Sequence, residues 1–243
     1  ALEHGLDGVV LKVDNIDAVL KLKEYFDKRS EARNRLTLTK ATIAEVCTAG
    51  MGDRVCVDLC SLMRPGEGLL VGSYARGLFL VHSECLETDY IASRLFRVNA
   101  VSIISFCTCQ IRGCIPSIFR DPYIHMSIPG GKTCHLSELK AGREVIAVDQ
   151  IGQQRTAIVG RVKIETRPLV LVEAKGTSSV QSAYSILLQN AETVSLVAPN
   201  EGHGTKGTAI PVTSLKAGDE VLLRVQGGAR HTGIEIQEFI VEK

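Results

Sequence analysis

The chain has 243 residues, of which 45% are hydrophobic and 23% are charged, with a formal net charge of +1 at pH 7. This composition is typical of a soluble globular protein, and the near-neutral charge argues against nucleic acid or an anionic membrane as a partner. No apolar run approaches the roughly 18 residues of a membrane span, so the sequence predicts no transmembrane helix.

The cysteines indicate neither a disulfide scaffold nor a metal site. Eight in a chain of this length are too few for a disulfide-rich fold and fit a reducing compartment. Cys107 and Cys109, followed by Cys114, supply one half of a usual zinc pattern, and the matching second half is absent from the sequence. We therefore expect no metal.

Residues 1–35 predict a strand followed by an amphipathic helix. The run at 8–13 is β-branched, and Asp14 or Asn15 can cap a helix whose apolar residues are Ile16, Val19, Leu20, Leu22 and Phe26. A strand and helix in this order are typical of an α/β layer, so 1–35 are expected to be the C-terminal part of an α/β domain. Because Ala1 opens the sequence inside such a unit, we expect a true N-terminus upstream.

From residue 36 the pattern changes to short alternating strands. They are predicted at 39–46, 54–59, 69–71, 78–81, 156–164, 169–173, 185–188, 193–197, 221–225 and 232–241. The predicted fold class is therefore α+β, with the α/β remnant followed by a β-rich, barrel-like domain over 36–243.

An internal similarity supports the barrel or sandwich interpretation. The segment 139–145, LKAGREV, returns as LKAGDEV at 215–221, and a weaker echo, GDRV, lies at 52–55. Each copy has a turn glycine, a charged residue and then a strand rich in Val, Ile or Leu, as a barrel strand often begins. We interpret the copies as pseudo-repeats.

A glycine-rich stretch at 65–84, PGEGLLVGSYARGLFLVHSE, is the strongest candidate site. Gly66, Gly68 and Gly72 are predicted to bind a cofactor, because a ligand can approach backbone that has no Cβ. Their spacing resembles a dinucleotide fingerprint, but the third glycine is one place late and a strand follows where a helix is needed. A ligand loop and a tight hairpin whose glycines serve only the turn both remain open.

Six further residues are predicted to carry chemistry. His82 and Glu84 alternate on a predicted strand and would face one side as an acid–base pair, or form a simple edge interaction. Lys132 follows two glycines in PGGKT, which lacks the spacing of a Walker A loop but leaves an ammonium for an anion or carbonyl. The remaining three are candidates for binding a carboxylate or phosphate, unless they are ordinary surface arginines: Arg76, Arg94 and Arg97.

The sequence resembles 3-dehydroquinate synthase of the second, archaeal-type class, and most closely its plant and algal members. The resemblance rests on the long run MGDRVCVDLCSLMRPGEGLLVGSYARGLFLVHSECLE at 51–87 and on five shorter runs. These are FRVNA at 96–100, PGGKT at 129–133, RTAIVGRVKIETRPLVLVEA at 155–174, SILLQNAETV at 185–194 and GGARHTGIEIQEFIVEK at 227–243.

The resemblance implies an enzyme of the shikimate pathway of aromatic amino acid biosynthesis. The implied reaction is NAD-dependent oxidative deamination of 2-amino-3,7-dideoxy-D-threo-hept-6-ulosonate and cyclisation to 3-dehydroquinate, which makes the protein an oxidoreductase with a small-molecule substrate. The arginines would bind the substrate carboxylate, and His82, Glu84 and Lys132 would enolise the diketone. Similarity to plant members implies a chloroplast location, with the cytoplasm otherwise, and a homo-oligomer is a further expectation. The alternative is a non-catalytic β-barrel binding module.

Residues 101–127 interrupt the resemblance. Relatives continue after the position of Ala100 with Gly-Pro-Val-His-Ala-Tyr, whereas this segment shows no sustained period, and His125 is a loose candidate for the missing histidine. Val101 and Ser102 are what GTAAGT, a usual intron start, would encode. We therefore predict an atypical insert from a retained intron or gene-model error, poor folding and little or no synthase activity in this chain.

Overall fold

A computed structural model describes residues 12, 15–31, 35–74, 77–87, 92–101, 125–176, 183–199, 209–226, 229–231 and 234–236. The predicted strand at 8–13, Arg76 and most of the predicted insert lie outside these residues. The predicted helix is confirmed as α1, Ile16–Glu31. Asn15 caps it, since its Oδ1 accepts a hydrogen bond of 2.8 Å from the Asp17 amide.

The rest of the described chain is mostly strand, which confirms the β-rich prediction. The strands are β1 Thr39–Leu59, β2 Gly68–Tyr74, β3 Gly77–His82, β4 Arg97–Val101, β5 His125–Ile128, β6 Lys132–His135, β7 Glu144–Val148, β8 Gln154–Gly176, β9 Ala183–Gln189, β10 Ser195–Val197, β11 Ala209–Pro211, β12 Glu220–Val225, β13 Ala229–His231 and β14 Ile234–Ile236. Two short 3-10 helices, Leu136–Glu138 and Val212–Ser214, precede β7 and β12.

Two of the predicted strand boundaries are wrong. The predicted strands 39–46 and 54–59 form the single strand β1, and 156–164 and 169–173 form the single strand β8. Gly50, Gly52 and Pro168 lie at these points, and all three remain within the ladder between β1 and β8. Gly50, with φ of 83°, lies at a register shift of this ladder, as in a β-bulge.

The strand pairings, all antiparallel, link twelve strands into one sheet. Within it β3, β12, β1, β8, β7 and β2 follow one another, and β2 also pairs with β3, so the six strands close a ring. A separate small sheet holds β13 and β14, so the predicted strand 232–241 is described only as far as Ile236. The barrel-like architecture beyond this ring of pairings stays a prediction.

The two clear copies of the internal similarity have the same local geometry. Each has a 3-10 helix, then a glycine with positive φ (Gly142 at 85° and Gly218 at 97°), and then a strand. The strand of the first copy, β7, pairs with β2, and the strand of the second copy, β12, pairs with β3. The weaker echo at 52–55 differs, since it lies inside β1 and forms no turn. A repeat extending beyond these turns stays a prediction.

The end of β1 has one apolar and one polar face. Val55, Val57 and Leu59 are buried in the main hydrophobic core, which includes residues of every strand in the ring. Because successive side chains in a strand point to opposite faces, Arg54, Cys56 and Asp58 lie on the other face. This second face carries the charged residues of the candidate site.

Candidate anion-binding site

Polar side chains of three neighbouring strands form rows across the second face of β1. Asp58 lies between Arg97 of β4 and Arg161 of β8, Cys56 lies between Asn99 and Lys163, and Arg54 lies opposite Glu165. Directly opposed residues of antiparallel strands have neighbouring side chains, so the register brings these groups into contact. We call this set, together with Glu84, Arg94 and Arg167, the charged face.

Asp58 is the centre of the first row. Its carboxylate accepts hydrogen bonds from Arg97 Nε (2.7 Å) and Nη2 (3.2 Å), and from Arg161 Nε (2.8 Å) and Nη2 (2.6 Å). Burial raises the pKa of Asp58, but the bonds from the two guanidinium groups outweigh it, so the pKa lies below its ordinary value. The same contact raises the pKa of Arg97. Asp58 is therefore a fixed anion that holds two arginines.

A second network runs from Arg54 to Arg94. Arg54 donates to Glu165 and to Asn99 Oδ1, and the amide of Asn99 donates to Glu84 Oε1. The other oxygen of Glu84 is buried without a hydrogen-bond partner among the described residues, and Arg94 Nη1 lies 3.5 Å from it. An unsatisfied buried carboxylate oxygen is uncommon, and here it lies next to a half-exposed guanidinium.

The charged face exposes four of its six cations and buries two of its three acids. The side chains of Arg94, Arg161, Lys163 and Arg167 are 45 to 61% exposed, whereas those of Asp58 and Glu84 are at most 9% exposed. Hydrogen bonds from Lys163, Arg54 and Arg167 lower the pKa of Glu165 to about 2, so this acid stays ionised near neutral pH. Six cations surround three carboxylates, and the surface therefore attracts anions.

Cys56 lies within the charged face but is not activated. Burial, the largest influence, raises the pKa of its thiol to about 11, and the thiol donates a weak hydrogen bond to Asp58 Oδ1 at 3.8 Å. A nucleophilic cysteine requires a lowered pKa, because the thiolate is the reactive form. Cys56 therefore contributes packing and a weak donor.

His82 and Glu84 do not form the pair that strand alternation predicted. His82 is the last residue of β3 and Glu84 lies in the following turn, so the two have separate partners. His82 Nε2 accepts from the Gly66 amide at 2.8 Å, and Nδ1 lies 2.6 Å from the Ser83 carbonyl. Nδ1 must therefore carry the proton in the neutral ring. Burial lowers the pKa of His82 to about 4, in agreement with this neutral form. Its catalytic role stays a prediction.

The glycines predicted to bind a cofactor are explained by packing at two of three positions. A Cβ on Gly68 would lie 2.0 Å from the Val81 carbonyl oxygen, and one on Gly72 would lie 2.3 Å from the Gly77 carbonyl oxygen. Gly66 has φ of 88°, in the region that favours glycine. Gly68 and Gly72 thus allow β2 and β3 to approach closely, and cofactor contact at these glycines stays a prediction.

The remaining predicted residues fall into separate places. Arg94, Arg97 and Glu84 come together on the charged face, whereas Arg76 lies outside the described residues. Lys132 begins β6 and lines a cavity that shares no residue with the charged face. His125, the candidate for the missing family histidine, packs against His135 with ring centroids 4.7 Å apart, and its correspondence stays a prediction.

Sequence reasoning missed Asp58, Asn99, Arg54 and Glu165 as site residues. Their signal was charge alternating with apolar residues along β1 and β8, which indicates a polar sheet face but does not identify partners across strands.

The family model for the 3-dehydroquinate synthase II C-terminal domain matches residues 40–113 and 121–243. The chain belongs to this family. The break in the match falls inside the predicted insert. All residues of the charged face lie within the two matched blocks. The predicted insert itself stays a prediction.

Relatives of the 3-dehydroquinate synthase II family support this membership. Proteins named 3-dehydroquinate synthase are similar to the whole chain, with 46% identity in Methanocaldococcus jannaschii and 45% in both Methanosphaera stadtmanae and Methanothermobacter thermautotrophicus. The chain spans 59%, 59% and 57% of these three proteins. No solved structure was found to match it. These relatives are archaeal, so the plant-like origin and chloroplast location stay predictions.

The described part of this family member shows neither a membrane span nor a dinucleotide cradle. No helix in the described ranges is long and apolar enough to cross a membrane. Dinucleotide phosphates usually bind at a glycine turn that leads into a helix, and here the glycines of β2 lead into β3. Since Gly68 and Gly72 face carbonyl oxygens of β3, the described glycine-rich stretch does not fit NAD in that manner.

Proposed function

We propose that this chain is the part of a 3-dehydroquinate synthase that binds the carboxylate of the substrate. The proposed reaction converts 2-amino-3,7-dideoxy-D-threo-hept-6-ulosonate to 3-dehydroquinate for aromatic amino acid biosynthesis. One observation carries the proposal, namely that the side chains of Arg94 and Arg161 are about half exposed while the carboxylates of Glu84 and Asp58 beside them are buried. Family membership and the names of the relatives support a 3-dehydroquinate synthase, and the resemblance described above implies the specific reaction.

Arg94 is the proposed contact for the carboxylate. Its side chain is 45% exposed, and among the described residues one carboxylate oxygen lies 3.5 Å from its guanidinium, which leaves donors for a ligand. Arg97 is 14% exposed and its Nε and Nη2 bind Asp58, which makes it a positioning residue under this proposal. A planar guanidinium binds a carboxylate through two parallel hydrogen bonds, which fixes the orientation of the substrate.

Glu84 is the proposed acid–base group. Its Oε2 is buried beside Arg94, and a carboxylate in such a place can accept or return a proton once a substrate covers it. His82 is buried with both ring nitrogens near backbone groups, and we propose that it supports the turn at Gly66.

NAD is proposed as cofactor from the resemblance, and it would accept the hydride from the amine-bearing carbon. Because the glycine-rich stretch does not fit it, no residue of the described chain is assigned to it. A small-molecule substrate and a homo-oligomer are likewise proposals.

Binding of 3-dehydroquinate to the 243-residue chain tests the carboxylate proposal directly. Calorimetry should show that Arg94→Gln weakens binding about tenfold or more, the scale of a charge-assisted hydrogen bond of about 1.5–3 kcal/mol. Lys175→Gln is the matched control, because this substitution also removes one positive charge. Lys175 is exposed and lies near the C-terminal end of β8, away from Arg161. Equal binding by both variants, or no binding by the unmodified chain, would refute the proposal and favour a non-catalytic binding module.

Turnover separates the reaction from simple binding. The amino sugar acid and NAD are mixed with the chain and, separately, with a version in which the family sequence Gly-Pro-Val-His-Ala-Tyr replaces residues 102–124, so that strands β4 and β5 are kept. Absorbance of reduced nicotinamide should rise in the second sample, followed by formation of 3-dehydroquinate. If the restored version binds 3-dehydroquinate but never reduces NAD, the proposed cofactor is wrong.

A further inference from the structure

A second group of charged side chains lines a cavity of about 550 Å³, which is within the size range of small-molecule pockets. Strands β5 to β8 and β12 contribute to it, and Tyr25 of α1 and Leu36 extend its wall. None of its residues belongs to the charged face or has been given a role above except Lys132.

Two cationic side chains line the cavity. Arg224 is on β12, where its neighbour Leu223 is buried in the core, and its Nη1 donates to the Ser127 hydroxyl at 3.3 Å. Lys132 is exposed and, among the described residues, has no carboxylate within ion-pair distance. Because Ser127 is 1% exposed, its hydrogen bond holds the guanidinium of Arg224 at the cavity wall. Lys132 is exposed, so its ammonium group can contact a ligand.

The turn between β5 and β6 places two glycines directly before Lys132. Gly130 and Gly131 have φ of 79° and 69°, and a Cβ added at either would meet no atom within 4 Å. The described packing therefore leaves room for a side chain at both positions, and only the positive φ favours glycine there. At Gly68, by contrast, a side chain would clash with the neighbouring strand. Both glycines line the cavity, and a ligand can approach their main chain closely.

The other walls combine polar and apolar groups. Glu144 and Thr156 come from paired strands β7 and β8, whereas Ile146 and Leu36 supply apolar surface. Such a mixture suits a small molecule with one charged end, a few hydroxyl or amino groups and a carbon skeleton.

We propose that this cavity binds a small organic anion, with Lys132 and Arg224 contacting a phosphate or carboxylate group and Glu144 or Thr156 contacting a hydroxyl. The site is separate from the charged face, so the inference goes beyond the proposed function. It assigns Lys132 to ligand binding in this cavity and not to the acid–base chemistry proposed for Glu84.

Three related probes test the site on the 243-residue chain by calorimetry or ligand-observed NMR. Glycerol 3-phosphate and glycerate carry the two anionic groups on similar hydroxylated skeletons, and glycerol is the neutral control. At least one anion should bind and glycerol should not. The tighter anion identifies the ligand class as phosphate or carboxylate.

Substitutions then locate the bound anion. Lys132→Gln should weaken it about tenfold, as expected for loss of a charge-assisted hydrogen bond, and Lys132→Glu should abolish detectable binding. Lys140→Gln is the matched control, since Lys140 is an exposed lysine that does not line the cavity. Arg94→Gln, which alters the charged face, should leave unchanged the part of the anion binding that Lys132→Glu abolishes.

Several outcomes would overturn the inference. Failure of both anions to bind excludes the site, and equal weakening by the Lys132 and Lys140 variants reduces it to nonspecific charge attraction. Unchanged affinity in Lys132→Glu excludes the assigned contact. Lys132 is exposed, so its variants should fold, and a circular dichroism spectrum equal to that of the parent checks this.

Discussion

The charged face and the cavity both attract anions, but their cations are held differently. On the charged face Arg54, Arg97 and Arg161 are bound to acids that are mostly buried, so the same ion pairs that define the surface also join three strands. In the cavity Lys132 has no such described partner. The difference indicates that charges on the first region contribute to folding and to binding together, whereas Lys132 can be changed with little effect on the fold.

Removal of the central acid should give the largest effect. Asp58→Asn leaves two guanidinium groups without their carboxylate, and loss of one partner of a buried ion pair costs about 3–5 kcal/mol. We expect the free energy of unfolding, measured with urea, to fall by about 4 kcal/mol. Asp53→Asn on the same strand is the control, because Asp53 accepts one hydrogen bond from Thr166. A loss no greater than in the control would show that the pairs of Asp58 do not stabilise the fold.

The dependence of the free energy of unfolding on pH should reveal the buried, neutral imidazole of His82, which lies two residues before Glu84 of the charged face. The folded pKa of His82 is lowered from 6.5 to about 4, so the unfolded chain binds more protons between these values. The contribution of His82 is therefore complete above pH 6.5 and is lost as the pH falls towards 4, a change of about 3 kcal/mol. Urea unfolding across this range should show it in the parent and not in His82→Gln.

Asp58 and Glu165 act in a lower window. Both folded pKa values are depressed, so their stabilisation is present above their unfolded values and is lost as the pH falls below about 4. If the free energy of unfolding falls equally between pH 6.5 and 4 in the parent and in His82→Gln, this fall cannot be assigned to His82.

The two neighbouring arginines of the charged face should separate stability from binding. Arg97→Gln should reduce the free energy of unfolding by about 2 kcal/mol, since charge-assisted hydrogen bonds to Asp58 are lost. Arg94→Gln should change it by less than about 0.5 kcal/mol, because the Arg94 side chain is 45% exposed and its guanidinium comes no closer than 3.5 Å to Glu84. Thermal or urea unfolding measures both. Equal losses would mean that Arg94 is as structural as Arg97, and that its effect on ligand binding is indirect.

The smallest effect is expected in the cavity. Lys132→Gln should leave the free energy of unfolding within about 0.5 kcal/mol of the parent, as for most surface substitutions. A loss comparable to that of Arg97→Gln would remove the contrast between the two regions.

The sequence predicted local features well where one residue or one period decides them. Helix α1, the β2–β3 hairpin strands, β9, β10 and β12 follow from apolar periodicity and turn residues, whereas β11 and β13 were not predicted. The division of β1 and β8 was wrong because a glycine or proline that usually ends a strand can be held in place by a long partner strand. That partner is more than 100 residues away for much of β1, and no local pattern reports it.

The candidate site was predicted only in part, because its contacts also join residues that are far apart in the sequence. Arg94 and Arg97 stand out as a pair in the sequence, but the acid that binds Arg97 lies 39 residues earlier and the second arginine on that acid lies 103 residues later than the acid. Cross-strand register creates these contacts, and register depends on the whole sheet. The packing role of Gly68 likewise depends on how closely Val81 approaches, which a glycine pattern cannot show.

The long ladder between β1 and β8 also has a consequence for the rate of folding. Leu59 pairs with Val159 and Thr42 pairs with Lys175, so the strands can join only after a large loop closes. Folding of small domains slows as contacts between distant parts of the sequence increase, and sheets with such contacts commonly fold in milliseconds to seconds. We expect refolding to be limited by this pairing. Amide hydrogens of β1 and β8 should then gain protection together and late in pulse-labelled hydrogen exchange, after those of the β2–β3 hairpin.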